Sequence, residues 1–327
     1  MTSKNVPREI KGYITQEFLG KGSFANVFNC RKDGRKYAMK RINSEERFKK
    51  CALKEIEYLN EVDCEFIIKM EEHFIHKNIQ YLVFECLYDN LYNYIMKSKN
   101  YPTFKQFNTY CYQMAEGLSY LHNLGIIHCD LKLENVMICN DLKNIKIIDL
   151  GSSVRKKKNF KSNFYVQSRY YRAPEILYKI NFSEKIDIWS YGVLITEFIL
   201  RSNVFNGKNT SGMLYKISDY LDIPRLNIYQ QTEIFDRHYF HNGIDFCYNN
   251  ISLKHRVKGY RENRLEEHLI NGLRMNFKDI FDYQINNVIA LVHKILDYNY
   301  ETRLTADECK QQLSLLEYQI EKETRLP

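Results

Sequence analysis

Asp130, Lys132 and Asn135 crowd a carboxylate, an ammonium and a carboxamide into one short stretch, Ile127-His128-Cys129-Asp130-Leu131-Lys132-Leu133-Glu134-Asn135. Apolar runs bound it, Gly125-Ile126-Ile127 before and Val136-Met137-Ile138 after. Three such groups in a loop suit phosphoryl transfer. Asp130 can accept the proton of an attacking hydroxyl, Lys132 can neutralise charge on the moving group, and Asn135 can ligate Mg²⁺. A polar turn between two short strands is the plain alternative, and the loop alone leaves it open. Downstream, Asp149-Leu150-Gly151 closes the strand-like Ile145-Lys146-Ile147-Ile148. An aspartate at a strand end, before a glycine that lets the chain turn, is placed to hold a metal ion.

The elements that must position these groups come earlier in the chain. Residues 1–12 read as a flexible lead-in, 13–19 as a strand, and Gly20-Lys21-Gly22-Ser23-Phe24-Ala25-Asn26-Val27 as a turn into a second strand. Glycines there let backbone N–H groups approach phosphates, although most G-x-G pairs are plain turns. Asp33-Gly34 signals a hairpin into a third strand that ends in Tyr37-Ala38-Met39-Lys40. Phe48, Ala52, Glu55, Ile56 and Leu59 then share one face of a helix. Glu55 lies in an apolar stripe, where a carboxylate is costly unless paired, and Lys40 is its natural partner. Taken alone, Lys40 would pass for a surface lysine and Glu55 for a residue at the helix edge.

Two further strands are expected over 67–74 and 79–84. Beyond Leu87 the pattern turns helical, with Phe107, Tyr110, Cys111, Met114, Leu118 and Leu121 forming a stripe under the Asp130 loop. His128, beside apolar neighbours, reads as a structural member of that loop. The helix opened by Asp187-Ile188-Trp189-Ser190-Tyr191-Gly192 is apolar nearly all round, as expected of one buried in the centre of a lobe. The region 222–280 is polar, aromatic and hard to read.

In their order these motifs resemble those of protein kinases over roughly residues 13–318. Asp130 and Asn135 match H-R-D-L-x-x-x-N, Asp149 matches D-F-G, Lys40 matches V-A-I-K, and Ala173-Pro174-Glu175 matches A-P-E. The resemblance implies an α+β, two-lobed protein kinase fold, with a small β-rich N-lobe (13–86), a larger mainly helical C-lobe (87–318) and a tail (319–327). It also implies ATP and Mg²⁺ as cofactors. Gly20, Gly22 and Ser23 would approach the phosphates, Lys40 held by Glu55 would bind the α- and β-phosphates, and Leu19, Val27, Ala38 and Met137 would sandwich the base. Phe84, Glu85 and Leu87 would form the hinge and back of the pocket, and Asn135 and Asp149 would hold the metal. Each wall residue is equally at home as simple core. Asp187 is expected to hold the catalytic-loop backbone, and Arg303 to pair with Glu175.

Departures accompany the match. Cys129 stands where arginine is usual, Leu150 where phenylalanine is usual, and Ala25 at the third glycine of G-x-G-x-x-G. His-Cys-Asp, Gly-Ser-Ser after Leu150, and Tyr165 followed by Gln167-Ser168-Arg169-Tyr170-Tyr171-Arg172 are similar to the dual-specificity tyrosine-regulated kinases of the CMGC group. That likeness implies Ser/Thr phosphorylation with autophosphorylation on Tyr165, whose phosphate Arg169 and Arg172 would pair. A Tyr165 packed on the lobe surface competes with that reading. A pseudokinase scaffold is the rival from another class, supported by Cys129, Leu150 and Ala25, and a small-molecule kinase is a second rival.

The 327 residues are 44% apolar and 27% charged, a composition that argues against disorder and suits one large or two-lobed unit. The formal charge of +8 favours anionic ligands, though such a surplus is also ordinary on a solvated surface. The nine cysteines show neither C-x-x-C pairs nor metal-ligand spacing. The expected protein is an intracellular monomer, cytoplasmic and/or nuclear, that acts on protein substrates, with no membrane span and no direct nucleic-acid binding.

Overall fold

The computed structural model describes residues 9–22, 24–97, 101–156, 166–221, 227–236, 264–278 and 280–324. The first part is an antiparallel sheet of six strands: β1 (Glu9–Ile10), β2 (Tyr13–Lys21), β3 (Ala25–Lys32), β4 (Arg35–Ile42), β5 (Met70–His76) and β6 (Ile79–Glu85), in spatial order β1-β2-β3-β4-β6-β5. Asp33 and Gly34 both take positive φ, 49° and 76°, so the β3–β4 hairpin closes in a tight turn with Lys32 opposite Arg35. Helix α1 (Glu46–Glu61) crosses between β4 and β5 and buries Phe48, Ala52, Glu55, Ile56, Tyr58 and Leu59.

The expected strand over 67–74 begins later, at Met70. Ile67 instead bridges Ile147 in parallel, and the Ile68 N–H donates to the Ile147 carbonyl at 2.9 Å. Both isoleucines are buried, so burial there reflects packing on the second lobe and not alternation in a strand.

The second lobe is mainly helical. After β7 (Asp89–Asn90) come α2 (Leu91–Met96) and α3 (Phe104–Asn123), with Thr103 capping α3 by accepting from the Gln106 N–H at 3.2 Å. The short strands β8 (Ile126–Ile127), β9 (Val136–Ile138), β10 (Ile145–Ile147) and β11 (Val154–Arg155) frame the loops of interest, β9 pairing with both β7 and β10, and β8 with β11. Then follow α4 (Pro174–Leu177), α5 (Lys185–Leu200), α6 (Thr210–Leu221), α7 (Asn227–Gln230), α8 (Glu233–Asp236), α9 (Arg264–Asn276), α10 (Asp282–Ile295) and α11 (Ala306–Thr324). The fold is the two-lobed α+β kinase fold that the motifs imply.

Helix α5 is the pillar of this lobe, buried from Ile186 to Ile199. Gly192 lets α10 lie against it: a Cβ there would come within 2.4 Å of Ile295 Cγ2 and 2.8 Å of Leu296 Cδ2. Helix α9 lies in the stretch that the sequence left unread. It buries Leu265, Leu269 and Leu273 on one face and packs against α5.

Candidate active site

The Asp130 loop is hung on one buried carboxylate. Asp187, fully buried on α5, accepts the backbone N–H of His128 at 2.7 Å and of Cys129 at 2.9 Å, and lies 3.0 Å from His122 Nε2. Cys129 sits at φ 63°, a conformation disfavoured for a side chain without local hydrogen bonding, and Asp187 holds it there. His128 is structural. Its Nδ1 accepts the Asp130 N–H at 3.2 Å, so its Nε2–H donates to the Ile148 carbonyl at 3.0 Å.

Held this way, Asp130 gathers polar groups. Its Oδ2 accepts from Lys132 Nζ at 2.9 Å and from Asn135 Nδ2 at 3.2 Å, and Asn135 Nδ2 also donates to the Asp130 carbonyl at 2.8 Å. Its Oδ1 accepts from Ser168 Oγ at 2.6 Å, while Lys132 Nζ also reaches Ser168 Oγ at 3.1 Å. Ser168 is a site member that no motif in the sequence marks. Its only signal in the sequence is its place in the run before Ala173-Pro174-Glu175.

The second cluster joins the two lobes. Lys40 Nζ lies 2.8 Å from both Glu55 oxygens and 2.8 Å from Asp149 Oδ1. Burial pushes the Glu55 carboxyl up to about 6, with Lys40 opposing and Asp149 adding to the rise. Burial acts the same way on Asp149, but Lys40 outweighs it and holds that carboxyl below the usual range. Burial works to lower Lys40; the two carboxylates prevail and raise it. The trio is therefore ionised at neutral pH, with two negative charges around one positive. Asp149 takes φ 66°, and a Cβ on Gly151 would press within 3.2 Å of Asp149 Oδ1 and 3.4 Å of Glu55 Oε2. The Ile148 N–H donates to the Asn135 carbonyl at 2.9 Å, which sets Asp149 beside Asn135 and joins the two clusters.

The predicted wall residues line up across the sheet. Gly20 is opposite Val27, Val27 opposite Lys40, and Ala38 opposite Phe84, so these side chains share the face that carries Lys40. Leu19 is about half exposed at the end of β2, and Met137 is half-buried on β9. Behind the hinge, Glu85 Oε1 accepts from Lys146 Nζ at 2.6 Å and the Cys86 carbonyl from Asn140 Nδ2 at 2.9 Å. The Leu87 side chain is half-buried. Gly22 N–H donates to the Ala25 carbonyl at 2.8 Å, and Ala25 is buried in the main core, so its methyl fills space in place of a glycine. Ser23 and Tyr165 lie outside the described residues. Arg169 is exposed, whereas buried Arg172 donates to the Val166 and Gln167 carbonyls at 2.9 and 2.7 Å. Gln167 has φ 68° and is locked by Ser190 Oγ at 2.7 Å and the Ile186 carbonyl at 2.8 Å.

Among the described residues there is no cluster of three or more His, Cys, Asp or Glu able to hold a metal, and no helix is long and apolar enough to cross a membrane.

A protein kinase domain family model matches residues 13–314. The chain is 29% identical over 313 residues to the dual specificity protein kinase YAK1 of Saccharomyces cerevisiae, covering 86% of this chain and 38% of that protein. It is 35% identical over 216 residues to a probable dual specificity protein kinase YAK1 homolog of Encephalitozoon cuniculi (63% of this chain, 52% of the relative). It is also 35% identical over 223 residues to homeodomain-interacting protein kinase 1 of Mus musculus (65% and 18%). The chain thus spans about half or less of the length of these relatives. It belongs to the protein kinase family.

Proposed function

We propose that this member of the protein kinase family transfers the γ-phosphoryl group of ATP to Ser/Thr hydroxyls of proteins, in the manner of the dual-specificity tyrosine-regulated kinases. The observation that carries the reading is the joining of the two clusters. Lys40, Glu55 and Asp149 meet at 2.8 Å on one side, and Asp130, Lys132 and Ser168 meet within 3.1 Å on the other. Lys40, fixed by Glu55, binds the α- and β-phosphates. Asp130 Oδ1, now holding the Ser168 hydroxyl, is positioned to accept the hydrogen bond and then the proton of an acceptor hydroxyl. Lys132 balances charge on the transferring group, so most of the acceleration is positioning and electrostatics.

The donor set fits Mg²⁺, which keeps several waters and takes one or two protein oxygens together with phosphate. Asn135 commits its Nδ2 to Asp130, leaving the carboxamide oxygen to ligate beside the Asp149 carboxylate. Bound there, the ion would neutralise phosphate charge.

Gln167 supports a finer reading of substrate. Its carbonyl is taken by Arg172 and its φ is left-handed, next to the Ser168 that contacts Asp130. A residue following the acceptor would find no carbonyl there for its N–H, which favours proline, the residue without one. Autophosphorylation of Tyr165 belongs to the same proposal. Against the scaffold reading stands the full set of proton acceptor, phosphate lysine and metal ligands.

The test is transfer from γ-labelled ATP to a generic Ser/Thr protein and to a peptide pair with proline or alanine after the acceptor. Asp130→Asn should lower kcat by about 10²–10⁴-fold. Label should appear on serine or threonine, on Tyr165 in the protein itself, and preferentially on the proline peptide. Transfer unaffected by Asp130→Asn rejects the assigned role of Asp130.

A further inference from the structure

Where the family resemblance calls for arginine, Cys129 is wholly buried against the Val154 backbone, and burial pushes its thiol well above the usual range, so it carries no charge. A guanidinium reaches this neighbourhood from the next strand. Arg155 Nη1 donates to the Leu124 carbonyl at 2.9 Å, at the end of α3. Its Nη2 donates to Glu61 Oε1 at 2.6 Å, the last residue of α1, and its guanidinium carbon stands 5.2 Å from the centre of the buried Tyr58 ring, also on α1. The strand beneath is rooted in the helical lobe. Arg155 pairs with Ile126, the Lys156 N–H donates to the Gly125 carbonyl at 2.7 Å, and Lys156 Nζ reaches Glu184 Oε1 at 2.7 Å. Lys156, just past β11, thus binds within the helical lobe, while Arg155 at the end of β11 spans from that lobe to α1.

Tyr58 and Glu61 lie on α1 one and two turns beyond Glu55, so whatever fixes them fixes the carboxylate on Lys40. An exposed ion pair by itself does little. Here one planar fork makes an ion pair, a backbone hydrogen bond and a ring contact together, and its rigidity limits the freedom lost. We infer that Arg155 is a positioning residue: it ties the C-terminal half of α1 to the helical lobe and keeps Glu55 on Lys40 without requiring a phosphate on the activation segment. This rests on the kinase reading of the Lys40 site.

The test uses phosphatase-treated full chain, as wild type, Arg155→Met, Glu61→Gln and the double variant. Arg155→Met should lower kcat/KM for ATP by about five- to tenfold, mostly through KM, with the peptide KM and the melting temperature unchanged. Glu61→Gln should fall in the same direction, and the double variant should be no worse than Arg155→Met, as for residues acting as one unit. Hydrogen exchange at the amides of residues 55–61 should quicken in Arg155→Met. Unchanged ATP kinetics and unchanged exchange, or strictly additive losses, overturn the inference. Should the wild type transfer no phosphate, the kinase reading fails separately, and the exchange experiment still decides whether Arg155 holds α1.

Discussion

Of the ion networks that join distant parts of this chain, those of Arg303 and Lys40 are built on opposite plans. Glu175 and Arg303 meet at 2.6 and 3.1 Å with both side chains wholly buried. Arg303 also donates to the carbonyls of Asp297 (2.9 Å) and Lys185 (2.8 Å), and its guanidinium carbon lies 5.1 Å from the centre of the Trp189 ring. One positive charge meets one negative charge, and two further donors have backbone partners. Lys40 instead stands between two carboxylates, and Asp149 keeps roughly a quarter of its side chain exposed. A closed, neutral network has nothing left to bind. An open one with surplus negative charge is completed by a cation and a polyanion. The contrast separates the part of the molecule that holds shape from the part that is free to do chemistry.

The sharpest way to break the comparison is to remove one member from each side. Arg303→Met strands Glu175 without a partner in the core and should cost about 3–5 kcal/mol, read as a fall in the urea midpoint. Replacing both residues with apolar side chains of similar volume should recover much of that loss. Asp149→Asn should lower kcat/KM by about 10²–10³-fold, yet lower the midpoint only slightly, because the carboxylate that Lys40 holds below its usual range is partly exposed and its loss strands no buried charge. Equal stability losses at the two sites would erase the distinction.

A third carboxylate sharpens it. Glu197 is buried on α5, accepts from the Tyr171 hydroxyl at 2.5 Å, and has no cation beside it among the described residues. Burial pushes it up to about 7, with Tyr171 pulling it down and Glu134 adding to the rise. The folded protein therefore keeps a proton that the unfolded chain gives up near 4.5. The stability linked to it is full below that value and is lost as pH rises through about 7. Wild type should lose urea stability between pH 5 and 8, and Glu197→Gln should lose measurably less. A smaller effect in the same direction of charge concerns Glu55. Its ionisation near 6 should give kcat/KM for ATP an acid limb, falling as pH drops below about 6, that Glu55→Gln abolishes at a lower plateau.

Much of this was legible in the sequence because local periodicity and pairing demand coincide. The stripe Phe48, Ala52, Glu55, Ile56, Leu59 set a carboxylate on a buried helix face, and the structure buries those residues. Asp33-Gly34 specified a turn that needs two positive φ angles. Other features depend on contacts far away in the chain. Ile67 and Ile68 look like strand residues but serve β10, and the Leu265, Leu269, Leu273 face of α9 was lost among polar and aromatic neighbours. Ser168 and Arg155 were invisible as site residues, since a serine in a loop and an arginine on a two-residue strand acquire meaning only through the groups that tertiary folding brings to them. The left-handed turns at Cys129 and Gln167 are likewise imposed from α5, by Asp187 and by Ser190 with Ile186.

The account stands most directly on where a nucleotide lies. A crystal structure of the chain with Mg²⁺ and a non-hydrolysable ATP analogue should place the α- or β-phosphate about 3 Å from Lys40 Nζ, with the metal on Asp149 and Asn135. An ordered nucleotide whose phosphates lie away from Lys40, with Asp149 facing solvent, would contradict it.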